Sequence, residues 1–347
     1  MDVPVCGDPT VPLGVRARMT ALLLVAMGCR PDKRIDLRPI VEPRQGLRSE
    51  LAEGGALAQR LAPPDLADLV LLYGGEAEGV LGPCGCTENP RGGLARVQTY
   101  ARATQERTPA TSVWLVDAGG FLDGTPEDTG VPRADAKAAN RWMVQAYDRL
   151  DPVALNVSWN DLVGLSGLDD TRGLPLVSAH IEGPGLVPYV RRELGSHTLV
   201  FTGIAHLGPD FLMPSDYRGR DPEDAVRELV AEGAWDEEDV VVLLAHGAPT
   251  AATMLARDGL VDVVIDAQQH RYRDPVHREA DAVWAKSHYQ TLRLGELRLG
   301  LRDGRAAWAV DRKIDLDDAI PSDPTLLRWA RQAEKEAEMV RETVYGF

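Results

Sequence analysis

Aromatic side chains are scarce: Phe, Tyr and Trp make up only 5% of the 347 residues. No platform of rings for stacking single-stranded bases is evident. Positive charge is also in deficit, with 38 Lys and Arg against 53 Asp and Glu and a formal net charge of −15. No Lys/Arg cluster longer than a dipeptide offsets it, so the footprint of a phosphate-backbone binder is missing and no nucleic-acid partner is expected. Long apolar runs are lacking too. The N-terminal run Ala21–Gly28 has eight residues, far short of the roughly 20 that span a bilayer. Cysteine occurs four times, at positions 6, 29, 84 and 86. Two of the four flank one glycine in "GPCGCTENPRGG" (82–93).

What is present is ordinary for a soluble globular chain, with 44% apolar and 26% charged residues. The length suits one large α/β domain or two small ones. In "VRARMTALLLVAMGCR" two arginines precede the short apolar run, which ends at Cys29. A basic stretch, a short apolar stretch and small residues before a cysteine resemble a bacterial lipoprotein signal, with Ala26-Met27-Gly28-Cys29 an imperfect lipobox. This reading makes 1–29 a signal region, with 1–14 upstream of a start at Val15. Acyl chains on Cys29 would tie the mature chain to a membrane at the cell envelope or periplasm. The alternative is a buried N-terminal helix with an ordinary Cys29. Under the lipoprotein reading, Cys84 and Cys86 are the thiols that remain.

Residues 30–64 are rich in Pro, Arg and Glu and read as a tether, with a short helix near Ala56–Leu61. Beyond them, near-continuous apolar runs at 68–73, 112–118, 152–157, 174–179, 198–205, 240–246 and 261–266 read as strands covered on both faces. Helical patterns fill 93–104, 134–150 and 222–232, the last with Asp221 as N-cap and Pro222 at N1. The stretch 289–301 alternates with period two and slips phase at Gly295-Glu296, which suggests a bulge. "RDG" then turns it into 305–310. A helix after Pro321 presents Leu326, Ala330, Ala333, Ala337, Val340 and Val344 on one face. The expected organisation is one domain over 65–320, a tether and signal before it, and a terminal helix over 321–347.

The segment order carries a resemblance. A strand leads into "GGEAEG", then "PRGGLARVQTYAR", then a strand ending "DAGGFLDG"; "DPVALNVSWNDL", "VVVLLAHGAP" and "VDVVIDAQQHRY" follow. This resembles the catalytic domain of the 5′-nucleotidase (UshA-like) branch of calcineurin-like metallophosphoesterases, from Leu66 to Asp315. The "PCGC…GGLAR" combination resembles a bacterial UshA-like (seleno)protein subgroup, which implies reactive sulfur. The resemblance implies a four-layer αββα sandwich, two mixed β-sheets flanked by helices. It also implies a centre in which two divalent cations polarise a phosphate and a bridging water.

Residue by residue, the family's metal ligands fare poorly. Its Asp-x-His falls on Glu76-Ala77-Glu78, its bridging Asp on Gly120, and its Asn-His on Val157-Ser158, with Asn156 or Asn160 as substitutes. Its late histidine matches His246, and its Gly-His-x-His falls on Ala267-Gln268-Gln269-His270. An ordinary two-metal phosphoesterase is therefore not expected. Glu76, Glu78 and His270, with His246, remain as candidate ligands for one divalent cation, Zn²⁺, Mn²⁺ or Fe²⁺. Alternatively the glutamates are solvated loop residues and the histidines make local hydrogen bonds.

Cys84-Gly85-Cys86 follows the first strand on a loop that, in this fold, opens onto the catalytic face. Thiols this close form a disulfide only in a small strained ring, which Gly85 eases. Such bridges exchange readily, and a compartment outside the reducing cytosol permits it. Arg91 and Arg96 lie nearby in sequence and could favour a thiolate. Two readings stand beside this redox one: the sulfurs as soft ligands for Cu(I) or Zn²⁺, or a stable disulfide that shapes the loop. The readings that stand against a redox lipoprotein are a metal-dependent phosphohydrolase and a binding module that keeps only the fold.

Overall fold

The computed structural model describes residues 46–63, 67–83, 90–128, 130–208, 213–267 and 275–346. Two large sheets lie face to face. One has eight strands in the order Leu47–Ala52, Arg305–Asp315, Arg293–Arg302, Leu69–Gly74, Ser112–Asp117, Ala154–Asn156, Leu176–Val177 and Leu186–Val187. The other has six, in the order Tyr189–Leu194, His197–Ala205, Val240–His246, Val263–Ala267, Ala282–Lys286 and His277–Glu279. Both sheets mix parallel and antiparallel pairs.

Strand pleating explains the layers. Side chains alternate across a strand, so a run apolar at every position feeds two cores at once. Leu69, Leu71 and Tyr73 join Phe201, Val242 and Leu244 in the core between the sheets. Val70 and Leu72 face the other way, onto Leu94, Met143 and Leu326 of the helices Leu94–Arg107, Ala134–Leu150 and Pro324–Val340. Val241 and Leu243 likewise pack against Val226 and Leu255 of Pro222–Ala231 and Pro249–Arg257. Three apolar interfaces separate four layers, which is the αββα sandwich expected. The helix starts follow the side-chain chemistry: Asp221 and Asp323 each accept two backbone N–H bonds, and each is followed by proline.

Two expectations change. The strand Leu47–Ala52 and the helix Leu57–Arg60 lie inside the stretch read as tether. The strand pairs in parallel with Arg305–Asp315, so the chain from there on is part of the sheet. The bulge is not at Gly295-Glu296, where the ladder runs unbroken; the register shifts at Gly300/Leu301. The apparent phase slip comes from charge buried on the outer face. Glu296 and Arg298 occupy positions where apolar residues were expected, and both are buried. The Glu296 carboxylate accepts from Tyr100 Oη (2.5 Å), Arg298 Nη1 (3.0 Å) and Arg312 Nη1 (3.1 Å). Arg312 also donates to Arg60 O at 2.7 Å, and Arg60 pairs with Asp317 at 2.7 Å. This network ties the N-terminal strand and short helix to the hairpin. Among the described residues, no helix is long and apolar enough to cross a membrane.

Candidate functional site

The central parallel strands end at one edge of the sandwich, and the candidate residues come from those ends. Glu76 and Glu78 follow Leu69–Gly74, both in the left-handed backbone region with φ of 55° and 49°. Holding two non-glycine residues there costs about 1 kcal/mol or more each and requires a surrounding lattice. That lattice is the loop after Ser112–Asp117. Glu76 N donates to Gly119 O and Glu78 N to Gly120 O, each at 2.8 Å, and Gly79 N donates to Phe121 O at 3.1 Å.

Two buried carboxylates hold this second loop. Asp161 accepts from Gly120 N (2.7 Å), Leu122 N (2.8 Å), and Ser158 N and Oγ (2.7 Å each). Asp117 accepts from Gly119 N at 2.9 Å and Tyr147 Oη at 2.7 Å. Burial pushes the Asp117 carboxyl up to about 7, against the opposite pull of those two donors. Burial raises Asp161 as well. Sequence reasoning missed both roles, although Ser158-x-x-Asp161 has capping-box spacing and does cap Trp159–Ser166.

His246 ends its strand opposite Ala205 and Ala267. Burial lowers its pKa to about 4, so the imidazole is neutral at ordinary pH. Its Nε2 lies 3.8 Å from Glu76 Oε1, a close polar contact between a carboxylate and a neutral ring rather than an ion pair. Gly120 sits against both. A methyl group there would come within 3.0 Å of His246 Nε2 and 3.2 Å of Glu76 Cα, at a φ of +78°.

Of the expected ligands, Glu76 and His246 are brought together. Glu78 lines a separate groove with the helix Pro324–Val340. His270, Cys84, Cys86 and Cys29 lie outside the described residues. Asn156 Nδ2 donates to Ala118 O and Ile204 O, each at 2.9 Å, stitching the two sheets together, while its buried Oδ1 has no hydrogen-bond partner among the described residues. The two arginines that lie near the cysteines in sequence have partners among the described residues. Arg96 is buried and donates to Pro90 O (2.8 Å) and Leu316 O (2.9 Å), clamping the loop's exit. Arg91 pairs with Asp315 at 3.3 Å.

No family model matches this chain, and no curated protein matches its sequence. Solved structures do match. Sulfate thiohydrolase SoxB of Thermus thermophilus superposes with a TM-score of 0.61 at 15% identity, over 80% of this chain and 62% of its own. A 5′-nucleotidase precursor from Thermus thermophilus gives 0.59 at 19% identity, over 80% and 59%. NAD nucleotidase (NadN) of Haemophilus influenzae gives 0.59 at 12%, over 78% and 60%. The fold is of the metallophosphoesterase type. This chain spans about three fifths of the length of those structures.

Three of the positions at which the resemblance puts metal ligands carry other side chains. Gly120 offers no carboxylate where the resemblance puts a bridging Asp. Val157, at the bridging Asn position, is fully buried in the outer core. Ser158, at the His position, is spent on capping. Among the described residues, no three His, Cys, Asp or Glu side chains converge to hold a metal ion.

Proposed function

We propose that this is a cell-envelope lipoprotein, tethered to a membrane through acyl chains on Cys29, whose two-metal site has been lost and whose chemistry is carried by Cys84 and Cys86. The packing of Gly120 against His246 and Glu76 supports the loss of the metal centre: the position carries no carboxylate, and an added side chain would press on both neighbours. One neighbour on this fold is described as a sulfate thiohydrolase, a name that puts sulfur chemistry on a similar scaffold. The exchange balances as follows. A partner thiolate attacks one sulfur of the Cys84–Cys86 disulfide, breaking the S–S bond and forming a mixed disulfide. A second partner thiolate displaces the cysteine, so two electrons and two protons pass to the pair and the partner leaves oxidised.

Equilibration in glutathione or dithiothreitol redox buffers, read by alkylation and mass spectrometry, tests this. The expected potential lies well above the roughly −300 mV of structural bridges. Cys84→Ser should abolish exchange and leave the fold intact. A pair that stays oxidised at structural-bridge potentials, or thiols that resist alkylation when reduced, would overturn the reading.

A second reading is a phosphohydrolase using one Zn²⁺, Mn²⁺ or Fe²⁺ at Glu76, Glu78, His246 and His270. The observation in its favour is the 3.8 Å approach of Glu76 to a neutral imidazole. Elemental analysis of the purified protein decides it: a stoichiometric metal lost in His246→Ala supports this second reading, and its absence removes it.

A further inference from the structure

The outward face of the helix Pro324–Val340 carries charge of the sign this chain otherwise lacks. Arg328, Arg331 and Lys335 are all exposed and line one shallow groove with Pro324, Leu327 and Gln332. Their spacing of three and four residues stacks them along one side of the helix, opposite the buried Leu326, Ala330, Ala333 and Ala337. No two are adjacent in sequence, so the row exists only once the helix has formed. Among the described residues, none of the three is held in a hydrogen bond or ion pair. By contrast, Arg141 and Arg149 of the neighbouring helix face Glu336 and Asp323 at 3.9 and 3.6 Å. Glu334 and Glu338 are exposed on one flank, so the cations form a narrow strip rather than a broad basic patch.

One turn beyond Lys335 the surface becomes apolar. Met339 is 48% exposed and Val344, just past the helix, 54%. With Trp142 and Val340 they border a groove of about 670 Å³ between this helix and Ala134–Leu150. Unpaired cations followed by exposed apolar groups match the two parts of a phospholipid surface, its anionic headgroups and its acyl chains. The formal charge of −15 does not cancel this, because charges more than about 8 Å away are largely screened at physiological salt. We propose that this face docks on an anionic phospholipid bilayer, with Arg328, Arg331 and Lys335 on lipid phosphates and Met339 and Val344 at the acyl boundary. Guanidinium groups suit phosphate oxygens through two parallel N–H bonds. The lipoprotein reading above supplies the membrane, and the proposal rests on it for that alone.

The test puts the full-length chain on vesicles of phosphatidylcholine, alone or mixed with phosphatidylglycerol. Hydroxyl-radical footprinting reads Met339 directly, since exposed methionine oxidises readily. Met339 should be protected on the mixed vesicles and not on phosphatidylcholine, and the protection should fade as salt is added. Arg328→Gln, Arg331→Gln and Lys335→Gln together should weaken binding to mixed vesicles at least about tenfold. Arg328→Lys with Arg331→Lys keeps the charge and should keep the binding. All three side chains are exposed, so thermal melting should be unchanged in both variants. Capture of the chain by both vesicle types with Met339 still open to oxidation overturns the proposal. So does equal protection on both, indifference to the triple change, or protection without vesicles that rises with protein concentration, the sign of a second copy on this face. Acylation of Cys29 is read separately, from the mass of the mature N-terminal peptide, so either idea can fail while the other stands.

Discussion

Replacing Gly120 with alanine, and then with the aspartate that the resemblance would put there, probes the loss of the metal centre most directly. A non-glycine residue at φ +78° bears a left-handed penalty of about 1–2 kcal/mol. The added methyl would stand 3.0 Å from His246 Nε2 and 3.2 Å from Glu76 Cα. The first neighbour is a buried ring and the second is backbone, so neither yields freely, and overpacking of this kind costs about 1–3 kcal/mol. Gly120→Ala should therefore destabilise the fold by about 2–5 kcal/mol, read from the urea midpoint with an unchanged denaturant slope. Gly120→Asp should be at least as costly, since it sets a second carboxylate beside Glu76 in a site whose imidazole is neutral. It should also fail to raise hydrolysis of bis-p-nitrophenyl phosphate with added Mn²⁺, because Val157 and Ser158 still replace the other ligands. An alanine variant within 0.5 kcal/mol of the parent would show the position to be open and would refute the argument that the site has closed.

Three further outcomes are expected. The folded chain keeps a proton on Asp117 that the unfolded chain surrenders above about pH 4, so this group's stabilisation is lost as pH rises through the window to about 7. Urea unfolding at pH 4.5 and 8 should therefore show the parent losing about 3–4 kcal/mol relative to Asp117→Asn, and a pH-independent difference would refute the assignment. Arg96→Met should cost about 2–4 kcal/mol by leaving the carbonyls of Pro90 and Leu316 without their donor, and an unchanged urea midpoint would refute that. Glu296→Gln should destabilise by about 3–5 kcal/mol by taking away the buried carboxylate charge that Arg298 and Arg312 share, although Arg312 keeps Glu50 at 3.1 Å; a thermal melt within a degree of the parent would contradict that.

The sandwich was legible because its central strands are covered on both faces, and runs such as 240–246 show this without knowledge of their partners. The helix beginning at Pro222 was legible for a local reason too, an Asp-Pro start. What failed was inference about positions whose partners are distant in sequence. Glu296 and Arg298 looked like a break in alternation because the other donors to the Glu296 carboxylate, Arg312 and Tyr100, come from elsewhere in the chain. The stretch before the first central strand looked like a tether because its pairing partner lies at the far end of the sequence. At the site, the missing ligand types could be read from Gly120, Val157 and Ser158 alone. The uses of Arg96 and Asn156 could not, since backbone carbonyls leave no trace in a sequence.

The first described strand has a consequence for the order of assembly. Leu47 pairs with Ala309 and Ala52 with Ile314, so the earliest of the described strands to be synthesised waits for the last of them. The central strand Leu69–Gly74 is likewise flanked by Arg293–Arg302. Until the C-terminal hairpin emerges, one border of the larger sheet has nothing to close it, and loop-closure entropy over some 260 residues opposes early docking. Such a chain should fold late and as a whole, with a rate set by distant contacts. A fragment ending before Arg293 should be aggregation-prone rather than a stable intermediate.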